Sequence, residues 1–150
     1  MNLKLRDFVL VGLQFVLFAV YFLDFNVLQV RDLGFISRIG FVITICGVVL
    51  FFIALLQLNT SLSPFPTPKK DGFLVKNGLY SFMRHPIYTG ILFAVFGFAI
   101  HLGSVYKIFI GILLFLLFDV KVRYEEQMLR RKYKEDYESY MEHTGRFLPK

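Results

Sequence analysis

The sequence predicts an all-α integral membrane bundle of about four transmembrane helices, followed by a C-terminal amphipathic cytoplasmic helix. Three observations carry that prediction. Of the 150 residues, 56% are hydrophobic and 18% aromatic, more apolar surface than a water-soluble domain of this length can bury. The apolar residues gather into four runs near the length of a membrane crossing, about 20 residues for a helix. The basic residues cluster on alternate sides of those runs, the pattern of the positive-inside rule.

The runs span about 8–25, 35–58, 87–102 and 105–120 of a single domain covering 1–150. The first two are long enough to cross unaided. The last two borrow length from their flanks, with Arg84, Lys107 and Lys121 snorkelling to the interface, and Gly103 and Ser104 make the tight hairpin between them. The first run starts on Lys4 and Arg6 like a signal peptide. Its apolar core is long and no small-x-small cleavage site follows, so it is read as an anchor that stays. Of the 17 Lys and Arg residues, 14 fall before the first run, between Lys69 and Arg84, or from Lys121 onward. That distribution places both termini and the middle loop in the cytoplasm, and if the chain is prokaryotic the membrane is the cell (inner) membrane.

The middle loop, 59–86, carries Pro64, Pro66 and Pro68 at alternate positions, which forbids a helix and favours an extended path. Beyond Val120 the chain becomes highly charged, yet Phe118, Val122, Leu129, Tyr133, Tyr137 and Tyr140 recur at helical spacing. This predicts an amphipathic segment, 121–150, that continues from the fourth run and lies on or under the membrane domain. Gly90 and Gly97, seven apart on the third run, suit close helix packing. Cys46 reads as a small buried apolar residue. One cysteine excludes a disulfide framework and, with no paired histidines, a zinc site. The net charge of +6 is spent on topology rather than on a nucleic-acid stripe.

Two local patterns stand out chemically. The first is the carboxylate pair Glu125 and Glu126. At helical spacing at least one of them falls within the apolar stripe, where a charge is costly unless paired. Arg130 and Arg131 offer ordinary surface partners one turn on. The second is Gly78-Leu79-Tyr80-Ser81-Phe82-Met83-Arg84-His85-Pro86-Ile87-Tyr88-Thr89-Gly90. Proline suits the first helical position and disfavours helix in the residue before it, so His85 should cap the third run and Pro86 begin it. Free backbone N–H groups at such an end attract anions, and Tyr80 and Tyr88 offer aromatic faces for a cation or flat ring. Interfacial anchoring by Tyr and Arg is the plainer reading of the same residues.

Taken together, Gly-x-Tyr-x-x-x-Arg-His-Pro-x-Tyr-x-Gly, then Glu125-Glu126-x-x-Leu129 after a helical hairpin, then Tyr133, Tyr137, Tyr140, Arg146 and Pro149, resemble the isoprenylcysteine carboxyl methyltransferase family. A looser version occurs in the related membrane phospholipid methyltransferases. The likeness covers roughly Pro64 to Pro149; the first two runs match only in being apolar. It implies an S-adenosylmethionine-dependent methyltransferase whose cofactor pocket opens to the cytosol and whose lipophilic or lipidated acceptor arrives from the bilayer. On that resemblance the cofactor would be held by Gly72, Phe73, Leu74, Val75, Tyr80, His85, Pro86, Ile87, Tyr88 and Glu125. The family has a substrate-facing arginine four residues before the first glutamate, where this chain has Lys121. Lysine keeps the charge and loses the bidentate fork, so Arg84 and Arg146 become further candidates for a catalytic cation and Glu126 for its partner. The competing readings are a membrane reductase of sterol or steroid type using a nicotinamide cofactor, and a non-enzymatic accessory protein.

Overall fold

The computed structural model describes residues 5–23, 29–30, 33–58 and 73–150. The proline-rich stretch with Gly72, and Lys4, Asp24, Arg31 and Asp32, lie outside them. Among the described residues the chain is all-helical: α1 Leu5–Phe22, α2 Phe35–Leu58, a 3-10 turn Gly78–Ser81, α3 Pro86–Leu102, α4 Val105–Tyr133 and α5 Glu135–His143. Two of these, α1 and α2, are long and apolar enough to cross a membrane. α3 is apolar but has 17 residues.

Two boundaries depart from the sequence expectation. α1 starts three residues before the apolar run, taking in Arg6 and Asp7, because an acidic residue in the first turn opposes the positive helix end. α4 does not stop near Val120. It runs unbroken for 29 residues, since no proline interrupts it and the stretch after Val120 is rich in good helix formers such as Lys, Arg, Glu, Gln and Leu. The break comes at Lys134, whose positive φ of 48° turns α5 back beneath the bundle.

The helices lie side by side in the spatial order α1, α4, α3, α2. α2 and α3 touch backbone to backbone. A Cβ added at Gly90 would sit 2.6 Å from the amide nitrogen of Phe51, and one at Gly97 2.6 Å from that of Thr44. Gly40 and Gly47 meet α3 in the same way. Seven residues are about two helical turns, so these glycines form one stripe, and close approach replaces the hydrophobic drive that lipid does not provide. At the far end of the pair, the Ser37 hydroxyl donates to the His101 carbonyl at 2.8 Å.

α4 is the central element. Leu92, Val95, Ile110, Leu114 and Phe118 from α3 and α4 pack with Tyr21 of α1 in a common core, and the Tyr21 hydroxyl donates to the Val95 carbonyl at 2.7 Å. The α3–α4 hairpin turns at Gly103, which takes a left-handed φ of 62°, and at Ser104, whose hydroxyl caps α4 by accepting from the Lys107 amide. Together these contacts hold the other end of α4, with its charged residues, against the start of α3.

Candidate functional site

Pro86 opens α3 with His85 at the N-cap position, but the His85 side chain makes no capping bond. Its imidazole turns toward α4, where Nε2 lies 3.4 Å from Glu126 Oε1 and Nδ1 4.0 Å from Glu125 Oε2. The backbone on either side is held by the C-terminal tail. The Arg84 and His85 amides donate to the Gly145 and Arg146 carbonyls at 2.9 and 3.1 Å, and the Thr89 hydroxyl donates to the Phe147 carbonyl at 2.6 Å.

Glu126 is the hub of this closure. It is 3% exposed, accepts from Arg84 Nε at 2.9 Å and Arg146 Nη2 at 3.0 Å, and so joins α4, the turn before α3 and the tail. Burial alone would raise its carboxyl, but hydrogen bonds and charge from His85 and Arg84 outweigh that and hold it near 2. Arg84 also donates to the Thr144 carbonyl, and Arg146 reaches Asp119 at 3.3 Å. The resemblance implies a pairing of Glu126 with one of these arginines, and it pairs with both.

Glu125, one position earlier, faces a different environment. Its side chain keeps 27% of its surface open, while the protein enclosing the rest pushes its carboxyl above the usual range against the pull of His85 and Lys121. The Tyr88 phenol hydrogen-bonds it. Tyr88 packs on Phe118 with ring centroids 4.8 Å apart and stacks with His85 at 6.0 Å.

Lys121 completes the group. It is 1% exposed, lies 5.4 Å from the Tyr88 ring centre, and donates to the Gln14 side-chain carbonyl of α1. Burial lowers its ammonium to about 8, with Glu125 pulling the other way. Gln14 was not singled out by sequence reasoning, although an amide inside an apolar run is the kind of intramembrane polar residue that marks a site.

Tyr80 is buried on the 3-10 turn, which rests on α2 through the Leu79 amide donating to Gln57 at 2.8 Å. The Tyr140 hydroxyl of α5 donates to the Tyr80 carbonyl, and burial raises the phenol of Tyr80, with Glu125 adding to it. Phe73, Leu74 and Val75 lead into this turn outside any helix or strand, followed by Lys76, which pairs with Asp136 on α5. Gly72 falls outside the described residues. Tyr80, His85, Tyr88, Lys121 and Glu125, from three separate stretches, thus meet at one end of the α3–α4 hairpin. A carboxylate with an open edge beside aromatic rings is a donor set suited to a cationic ligand with hydroxyl groups.

A family model described as phospholipid methyltransferase matches residues 35–136. The chain is 29% identical over 140 residues to a protein-S-isoprenylcysteine O-methyltransferase of Schizosaccharomyces pombe, covering 91% of this chain and 56% of that protein. It is 27% identical over 124 residues to a probable protein-S-isoprenylcysteine O-methyltransferase of Oryza sativa subsp. indica, covering 81% and 65% respectively. The chain therefore spans between half and two thirds of the length of these curated relatives. Among solved structures, a eukaryotic intramembrane Ras methyltransferase, an isoprenylcysteine carboxyl methyltransferase, shares the fold with a TM-score of 0.72 at 24% identity, over 99% of this chain and 54% of that one.

Proposed function

The chain belongs to the phospholipid methyltransferase family, and from that premise we propose that it is an integral membrane enzyme methylating a lipophilic acceptor through a carboxylate oxygen, with S-adenosylmethionine as donor. The observation that carries this reading is the meeting of Tyr80, His85, Tyr88, Lys121 and Glu125 at the end of α4 where the positive-inside pattern puts the cytoplasm. α1, α2, α3 and the first part of α4, to Val120, are the four spans, with both termini cytoplasmic. The names of the curated relatives support methyl transfer over nicotinamide-dependent reduction.

The residues fit the donor. Glu125 and the faces of Tyr80 and Tyr88 would hold its positive part, and His85, Pro86 and Ile87 with the approach Phe73, Leu74 and Val75 would enclose the remainder. Bound there, S-adenosylmethionine supplies a methyl group on a sulfonium, which a carboxylate takes as an ester, leaving a neutral thioether and releasing no proton. The protein's task is therefore alignment, worth up to about 7 to 11 kcal/mol in well-oriented systems. No side chain needs to move a proton. Lys121 receives the acceptor's carboxylate as a point charge. Arg84, Arg146 and Glu126 keep the tail closed over α3, which holds His85 and Tyr88 in place. Lipid or a lipidated peptide reaches this end along the apolar faces of the helices.

The test is transfer of a labelled methyl group by the detergent-purified protein to a small S-farnesyl-cysteine acid. A base-labile labelled product is expected, as an ester requires. A base-stable product would move the chemistry to nitrogen or sulfur, and no transfer above background would overturn the reading.

A further inference from the structure

We propose that Gln14 of α1 is a positioning residue, whose amide oxygen fixes the Lys121 ammonium over Tyr88 and so selects acceptors with a single anionic headgroup. The inference rests on the reading of the site given above and deepens it by naming what determines acceptor class. An ammonium on a four-carbon stem has three donors and many rotamers. Here Gln14 takes one donor and the Tyr88 ring covers another side, leaving one direction for a ligand. The 1% exposure of Lys121 means that water does not compensate the charge.

The neutrality of Gln14 matters as much as its reach. A carboxylate at this place would cancel the cation, whereas an amide orients it and leaves its charge available. Among the described residues Glu125 acts on Lys121 with a negative charge. With the sulfonium donor drawn to Glu125, the site holds two positive charges against one negative charge, and a monoanionic acceptor brings the balance toward neutrality. A neutral acceptor leaves the buried ammonium uncompensated, which is costly in a low-dielectric site. α1 is thereby part of the site, not merely an anchor.

The experiment titrates protein loaded with an unreactive cationic analogue of S-adenosylmethionine, in which an amine replaces the sulfonium, with N-acetyl-S-farnesyl-cysteine and with its uncharged carboxamide. The proteins compared are the parent, Gln14→Leu, Lys121→Met and the double variant. The expected result is a loss of at least tenfold in acid affinity for Gln14→Leu, with carboxamide and cationic-analogue affinities within twofold of the parent. In the Lys121→Met background, adding Gln14→Leu should change acid affinity by less than twofold, because Gln14 acts through Lys121. Equal losses for acid and carboxamide, the same loss in both backgrounds, or no loss would each overturn the proposal while leaving the cofactor reading intact. A parent protein that fails to bind the cationic analogue would overturn both.

Discussion

The apolar part of α4, Val105 to Val120, has at each of its two ends a lysine buried against α1, and each lysine sits beside a tyrosine ring. At the far end Lys107 donates to the Tyr21 carbonyl at 2.7 Å, 4.9 Å from the Tyr21 ring centre. At the near end Lys121 donates to the Gln14 side chain and lies over Tyr88. The partner makes the difference. Lys107 satisfies one of the last carbonyls of α1, which have no acceptor role inside their own helix, so its charge is used in closing the fold. Lys121 meets an equally neutral carbonyl, but one on a rotatable side chain, with Glu125 nearby and open on one edge, so its charge remains available to a ligand. Burial of a cation alone does not mark a site; a buried cation with an exchangeable partner does.

The most disruptive way to probe the near end is at Glu126. Glu126→Gln leaves Arg84 and Arg146 without their shared carboxylate and should cost about 3 to 5 kcal/mol, read as a large drop in the unfolding midpoint in detergent. Because the folded carboxyl is held near 2, below its ordinary value of 4.5, the parent has this stabilisation in full above about pH 4.5 and loses it as the pH falls toward 2. The variant should lack that acid-dependent component. Lys107→Met should cost about 2 kcal/mol, the scale for a hydrogen bond to a charged group, with acceptor affinity unchanged. If Lys107→Met instead alters acceptor binding while stability holds, the contrast between the two lysines fails. The mildest probe is pH. Lys121 carries its charge below about 8 and loses it above, so the KM for an acid acceptor should rise by up to tenfold per pH unit beyond that point. Lys121→Arg, always charged, should flatten the rise.

Local signals account for what the sequence made legible. The bias of proline toward the first helical position placed His85 and Pro86 at the start of α3, and helical spacing put a carboxylate of the Glu125–Glu126 pair within the apolar stripe, where Glu126 is found. The seven-residue separation of Gly90 and Gly97 indicated close packing, which the contact with α2 shows. The contacts that define the site are of another kind. Gln14 and Lys121 are 107 positions apart, and the tail reaches Arg84 and His85 through backbone atoms, which carry no side-chain signature. The turn at Lys134 has neither glycine nor proline to announce it, so the stripe that runs from Phe118 to Tyr140 read as one continuous segment although two helices share it.

The central claim, that the near end of α4 is a methyl-donor site, is tested most directly by calorimetric titration of the purified protein with S-adenosylhomocysteine beside a nicotinamide dinucleotide. Saturable binding of S-adenosylhomocysteine alone, weakened more than tenfold in both Tyr88→Ala and Glu125→Ala, is the predicted result. Undiminished binding in both variants, or binding of the dinucleotide alone, would contradict the account.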